Sequence, residues 1–269
     1  MPKIMLCQYT PVLGVIDKNL DAHIGYIEKA IAEKCDVVVF PELSLTGYCL
    51  RDLVYDVAID EKHNVFKKML NYSKYITIVF GFVYIDSDFL VYNAAAYIDN
   101  EKVVHIHKKV FLPDYTMFEE ARYFAHGKSF DVFNGVLNKT SILICEDALH
   151  ISCLYQLFQK GVSAIFILSN SPARGIYKEK FYSQNLWETT NKYIAMGLTA
   201  YVIYLNRVGV EDGITFWGGS TIFGPEGNKV DQLSILEEDY KIVSLDIDIV
   251  KKARVTSPFY RDDKYFLSN

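Results

Sequence analysis

Three stretches of the chain set a chemically capable side chain directly after an apolar run. In SILICEDALH (residues 141–150) a thiol, Cys145, and two carboxylates, Glu146 and Asp147, follow without a spacer. In VVVFPELSLTGY, Glu42 comes just past Pro41. In HKKVFLPDYTMFEEARYF, Lys108, Lys109, Glu119 and Glu120 share one segment. Carboxylates at the edge of a core ordinarily have a partner there. A thiol with a pKa of about 8.5 is mostly protonated at neutral pH, so a nucleophilic Cys needs a base or a cation beside it. A Glu can take the thiol proton and return it to a leaving amine. A Lys ammonium can steady both the thiolate and the oxygen of a tetrahedral intermediate, where one lost donor costs about 3 to 4 kcal/mol.

Taken singly, each residue has an ordinary reading. A lone Cys in an apolar context is a small core hydrophobe, and Cys7, Cys35, Cys49 and Cys153 are read that way. A Glu after a strand caps or meets solvent, and a Lys in a loop is a surface charge. The chemistry requires that the three stretches meet, and in α/β sheets active sites gather beyond the carboxyl ends of strands. Other catalytic patterns are missing: there is no GxSxG, no GxxxxGK[ST] and no GxGxxG after a strand. None of the six His sits in a thiol-protease signature.

The elements that would position these residues alternate along the chain. Ile4–Thr10 reads as a strand, and Leu20, Ile24, Ile27 and Ile31 recur at helical spacing over residues 17–33, with Asp17 or Asn19 as the N-cap. Val37–Phe40 is a short buried strand, and residues 53–72 read as a second helix. A meander follows (76–85, 90–98, 103–106), then strands at 130–133 and 141–144 and a helix at 151–159. SAIFILSN, a helix over 179–196, YVIYLN (201–206) and strands at 220–223 and 241–246 complete the pattern. Strands apolar on both faces need cover on both sides, so an α/β fold of two packed sheets with helices outside is expected, in one domain over residues 1–269.

With 269 residues, 51% hydrophobic and 23% charged, the chain has material for one large core. A formal net charge of -5 without basic runs argues against a nucleic-acid partner. The opening MPKIMLCQYTP lacks the features of a signal peptide, and the apolar run Ile76–Ile85 is about half of the roughly 20 residues a membrane helix needs. Five cysteines without a CxxC pair indicate neither disulfides nor zinc. A cytoplasmic protein with reduced thiols, no metal and no membrane contact is expected.

FPELSLTGY, KKVFLPDY and ICED, in that order, resemble the nitrilase, or carbon–nitrogen hydrolase, superfamily along essentially the whole chain. Within it, FPELSLTGYCLRDL, LPDYTMFEEARYF, ICEDALH, SNSPARG and NRVGVEDGITFWGGSTIFGPEG look most like the glutamine-hydrolysing domain of glutamine-dependent NAD synthetases. The resemblance implies an α-β-β-α four-layer sandwich and a cofactor-free Cys-Glu-Lys amidase working through a thioester. By motif position it makes Cys145 the nucleophile, Glu42 the general base, Lys109 rather than Lys108 the oxyanion-stabilising group, and Glu120 rather than Glu119 an orienting or water-activating carboxylate. It also suggests Tyr115, Glu146, Ser171 and Trp217 as substrate-pocket residues. The sequence departs from the family pattern in two places. It ends at Asn269, without the ATP-dependent synthetase domain, and Ser171-Pro172 is followed by Ala173 and Arg174, which makes Arg174 the candidate to hold a substrate carboxylate. The expected substrate is a small linear amide, with an N-carbamoyl amino acid as the alternative and a non-catalytic binding or assembly subunit as a reading of another class. The family further implies a homodimer or larger homo-oligomer, and ammonia could pass to a separate synthetase.

Overall fold

Period-2 alternation runs through the central strands and decides the architecture. Ile4 and Leu6 share one interior cluster with Val37, Val39, Ile142, Ile144, Phe166, Leu168, Ile203 and Leu205, while the intervening Met5, Cys7 and Val38 face a second cluster and Leu143, Ile165 and Ile167 a third. Residues alternating in this way must lie on strands with both faces covered. The computed structural model describes residues 1–267 and shows that arrangement. The last two residues of the expected 1–269 domain lie outside the described residues.

The first six-stranded sheet holds β1 (Lys3–Gln8), β2 (Val37–Val39), β3 (Thr77–Ile85), β4 (Val91–Asp99) and β5 (Lys102–Lys108), closed at one edge by Asp239–Ser244. The second holds β6 (Phe133–Gly135), β7 (Asn138–Ile144), β8 (Ala164–Ser169), Tyr201–Asn206, which we label β9, and two short strands, Thr221–Phe223 and Lys229–Gln232. Helices α1 (Ile16–Ala32) and α2 (Asn64–Ser73) cover the outer face of the first sheet. After a one-turn helix α3 (Glu120–Tyr123), helices α4 (Ile151–Lys160) and α5 (Tyr182–Leu198) cover the second. The result is the α-β-β-α sandwich, with one shared interior between the sheets.

Topology brings the candidate residues to one end. Strands β1, β2 and β3 are parallel, and two antiparallel steps through β4 return β5 to the same direction, so β2 and β5 finish at the same edge. In the second sheet β7, β8 and β9 are parallel and end together.

Several expected elements are corrected. Residues 53–72 do not form one helix: a 3-10 turn spans Arg51–Tyr55 and α2 starts at Asn64. Between them Ile59 bridges to Tyr84 and donates its N–H to Val83 O, which draws the chain onto the sheet edge, and the His63 ring then caps Val65 N at 3.3 Å. The expected strand at 130–133 begins only at Phe133, because Phe130 turns into the outer cluster. Helix α1 starts without a side-chain cap. Asn19 instead accepts from Val12 N (2.7 Å) and donates to Leu45 O (2.9 Å), tying the helix to the loop that carries Glu42. A hairpin of Val208–Glu211 and Ile214–Trp217 and two C-terminal helices, Asp248–Thr256 and Phe259–Leu267, go beyond the sequence reading. No helix among the described residues is long and apolar enough to cross a membrane.

Candidate active site

Glu42 is delivered by the turn that stops β2. Pro41 ends the strand, Leu43 takes φ 45°, and the turn presses onto β3 at Gly81. A Cβ on Gly81 would stand 2.4 Å from Leu43 N and 2.6 Å from Pro41 O, so only glycine permits the approach. Lys109 follows β5, its N–H donating to Asn93 O at 2.8 Å. Gly127 fits against it in the same way, with no room for a Cβ beside the Lys108 carbonyl. Cys145 opens a 3-10 turn, Cys145–Leu149, at φ 44°, a left-handed conformation that side-chain-bearing residues rarely adopt and that surrounding contacts must hold in place.

The three residues converge. Lys109 Nζ donates to Glu42 Oε1 at 2.9 Å and to Glu120 Oε1 at 2.7 Å. Glu42 Oε1 also accepts from Asn93 Nδ2 (2.7 Å) and Oε2 from Asn170 N (2.7 Å). The residue before Asn170, Ser169, donates its hydroxyl to Cys145 Sγ at 3.4 Å. Adjacent residues of one strand end therefore hold the carboxylate and touch the sulfur. Glu42 and Lys109 are each 1% exposed.

Burial sets the proton distribution. It pushes the Cys145 thiol well up and Glu42 adds to that, while Lys109 and the Ser169 hydroxyl act the other way. Burial alone would lower Lys109, but the carboxylates of Glu120 and Glu42 outweigh it and keep the ammonium charged. Glu120 is pushed up to about 7 by burial, against the pull of Lys109 and with Glu42 adding to the rise. The resting site thus holds a protonated sulfur near a fixed cation.

One further carboxylate, which the sequence reading left without a role, fixes the separation of these parts. Asp147 is fully buried. Its Oδ1 accepts from Val110 N (3.0 Å) and Phe111 N (2.9 Å), and its Oδ2 from His107 Nε2 (2.8 Å) and Ile144 N (3.1 Å). It joins both flanks of Lys109 to the turn of Cys145. Tyr48, which donates to Glu120 Oε1 at 2.7 Å, was also missed, although it lies inside the quoted FPELSLTGY. Asn170 was likewise missed although it lies inside SNSPARG, and Asn93 carries no sequence signal of its own.

The suggested pocket residues separate into two groups. Tyr115, 45% exposed, donates to Glu146 Oε2 at 2.9 Å, and the Arg174 guanidinium lies 5.7 Å from the Phe118 ring. These form an open polar rim. Ser171 and Trp217 are buried instead, Trp217 within the outer cluster against which Cys145 packs. Ser171 Oγ accepts from Trp187 Nε1 (2.9 Å) and Trp217 Nε1 (3.3 Å), and Trp217 is 1% exposed. Glu119 and Lys108 stay outside the ionic cluster; Lys108 pairs with Asp86 at 3.0 Å. No group of three or more potential metal ligands occurs among the described residues.

Comparison with known proteins bears on the family and the fold. The carbon-nitrogen hydrolase family model matches residues 3–255. A glutamine-dependent NAD(+) synthetase from Acinetobacter baylyi is 32% identical over 246 residues, which cover 91% of this chain and 44% of that protein. The structure of the glutamine-dependent NAD+ synthetase from Acinetobacter baumannii superposes with a TM-score of 0.82 at 31% identity, over 92% of this chain and 46% of that one. A carbon-nitrogen hydrolase from Helicobacter pylori shares the fold end to end, with a TM-score of 0.86, 22% identity and coverage of 97% and 94%. The chain spans less than half the length of the synthetases it matches. With a family match over most of its length falling on this arrangement, the chain belongs to the carbon-nitrogen hydrolase family.

Proposed function

We propose that the protein is an amidase that cleaves the C–N bond of a small linear amide through a thioester on Cys145. The observation that carries this reading is the buried ammonium of Lys109, held between two carboxylates beside a sulfur that has its own hydrogen-bond donor. Cys145 Sγ attacks the carbonyl as Glu42 takes the thiol proton, and Lys109 stabilises the developing oxyanion. Glu42 then protonates the departing nitrogen, and ammonia leaves. Water enters and gives a proton to Glu42, with Glu120 orienting it. The tetrahedral adduct collapses to the acid, and the proton returns to sulfur.

The rim of Tyr115, Glu146 and Arg174 offers both signs of charge, which suits a substrate with an amino-acid head, glutamine among them. Ser171 and Trp217 shape the buried wall of the pocket. In this reading residues 1–269 act as one cytoplasmic hydrolase domain that self-associates as a homodimer or larger assembly. The ammonia goes to a synthetase that lies outside these residues.

The test is a panel of linear amides, glutamine, N-carbamoyl amino acids and nitriles, scored for ammonia, carboxylate and carbon dioxide with the parent protein and Cys145→Ala. Ammonia release from an amide that vanishes in the variant is expected. Turnover that survives in Cys145→Ala overturns the mechanism, and carbon dioxide release moves the substrate to the N-carbamoyl class.

A further inference from the structure

The mechanism above leaves unexplained how negative charge on sulfur is tolerated. Cys145 is half-buried, packed against both the interior and the outer cluster of the second sheet, and the Lys109 ammonium is already committed to two carboxylates. Among the described residues the only hydrogen-bond donor to the sulfur is Ser169 Oγ, at 3.4 Å. The donor is itself supported. Tyr204 OH donates to Ser169 Oγ at 3.2 Å, in a fully buried contact, and the accepted bond turns the Ser169 proton toward the sulfur.

The sheet builds this row of groups. Ile144 pairs with Leu168, which sets Cys145 beside Ser169 at the ends of neighbouring parallel strands. Asn206 pairs with Ser169, so Tyr204, two residues earlier on the same face, reaches Ser169 from behind. The Tyr204 ring is stacked on Trp187 at 4.8 Å and on Trp217 at 6.3 Å. Both indoles donate to Ser171 Oγ, so the ring has little freedom to withdraw its hydroxyl.

We propose that Ser169 is a further catalytic residue that stabilises the Cys145 thiolate through its hydroxyl, and that Tyr204 is the positioning residue that aims it. This rests on the reading of Cys145 as the nucleophile. No proton passes along the pair. Glu42 still takes and returns the thiol proton, and the sulfur lone pair still forms the C–S bond. The hydroxyl strengthens its bond when charge builds on sulfur, once as the thiol is deprotonated for attack and again as the thioester C–S bond breaks. The other groups acting on the sulfur are Glu42 from the β2 turn, Lys109 and Glu120 from the segment after β5, Tyr48, and Tyr115 at the rim. All of these stay in place when the two hydroxyls are removed.

The experiment is the pH profile of Cys145 alkylation by iodoacetamide, located by peptide mass spectrometry, in the parent protein, Ser169→Ala, Tyr204→Phe and the double variant. It needs no substrate, so failure of the amidase reading, seen as turnover surviving in Cys145→Ala, stays distinguishable from failure of this one. In Ser169→Ala the alkylation midpoint moves to higher pH and the neutral-pH rate falls about tenfold, the effect of one hydrogen bond to a charged group. Tyr204→Phe shifts the midpoint the same way by less, and the double variant matches Ser169→Ala, because Tyr204 acts only through the serine. Unchanged midpoints in the single variants overturn the proposal. So does a double-variant shift equal to the sum of the two, which would make Tyr204 an independent contributor. Should Ser169→Ala not fold, the midpoint of Tyr204→Phe decides alone.

Discussion

Two ion networks are buried at the same end of the sandwich, and they are balanced differently. In the first, one ammonium, Lys109, is shared by two carboxylates, Glu42 and Glu120. In the second, one guanidinium faces one carboxylate: Arg207 Nη1 donates to Glu211 Oε2 at 2.7 Å. Glu211 Oε1 takes the backbone N–H groups of Tyr48 (2.8 Å) and Cys49 (2.7 Å), and the Arg207 guanidinium lies 4.4 Å from the Phe216 ring centre. The balanced pair spends its capacity holding backbone, including that of Tyr48, whose hydroxyl reaches Glu120. The first network has a second carboxylate: burial pushes Glu120 up and the Glu42 charge adds to the rise, and Glu120 Oε2 is buried without a hydrogen-bond partner. Arg207 Nε and Nη2 are likewise buried without a hydrogen-bond partner, so the two networks differ in charge balance, two carboxylates on one ammonium against one carboxylate on one guanidinium, and not in how completely their atoms are paired.

Removing each cation sharpens this contrast most. Lys109→Ala is expected to lower kcat/KM for the amide substrate by about a thousandfold, the upper range for a lost oxyanion donor. Arg207→Met strands Glu211 and is expected to cost about 3 kcal/mol of stability in urea unfolding, the lower range for a broken buried pair. The folded fraction of that variant should still turn over substrate. Full activity in Lys109→Ala, or a well-folded but inactive Arg207→Met, would erase the distinction between the two networks.

Asp147 tests whether the spacing of the first network matters apart from its charges. Asp147→Asn keeps the size of the side chain but turns an NH2 donor toward N–H groups that faced a carboxylate oxygen. The expected cost is about 2 kcal/mol, as for hydrogen bonds to a charged group. If Asp147 sets the distance from Lys109 to Cys145, kcat falls while KM changes little, and the folded variant shows that split. A variant with lowered stability and unchanged kcat would make Asp147 structural only.

The excess carboxylate gives a pH signature of known sign. Glu120 titrates at about 7 in the folded chain, against about 4.3 for an unperturbed Glu. Between these values the folded state holds the extra proton, so Glu120 makes stability fall as pH rises through that window and adds no slope above it. Glu120→Gln should remove this slope, read as the difference in melting temperature between parent and variant across the window. A constant difference at every pH would mean that Glu120 is not the group holding the extra proton.

What was legible in the sequence followed from local rules. Apolar runs marked the sheets, and polar residues directly after those runs marked the segments of Glu42, Lys109 and Cys145, while the family resemblance chose Lys109 over Lys108 and Glu120 over Glu119. The parts that were not legible depend on partners far apart in the chain. Asp147 looks like one more acid beside Glu146 until β5 is packed against the Cys145 turn. Ser169 opens SNSPARG but has no assigned role, and Tyr204 is an ordinary strand residue, until the parallel register of β8 and β9 brings their hydroxyls together beside the sulfur. Residues 53–72 have helical composition throughout, yet the bridge from Ile59 to the sheet edge overrides it for half their length.

Lys108 is the smallest effect and the sharpest control for the Lys109 prediction, since the two are neighbours in sequence with the same side chain. The Lys108 ammonium pairs with Asp86 at 3.0 Å, with side-chain exposures of 31% and 15%, and lies 4.0 Å from the Tyr92 ring centre. Its strand partner Ala94 and the alternation of β5 direct it away from the cluster that Lys109 enters. A part-exposed pair of this kind is worth about 0 to 1 kcal/mol. Lys108→Met keeps the aliphatic stem over Tyr92, so stability should change by no more than that and kcat/KM should equal the parent's. A loss of activity approaching that of Lys109→Ala would mean that charge in this segment, rather than the placement of one ammonium between Glu42 and Glu120, sustains the reaction.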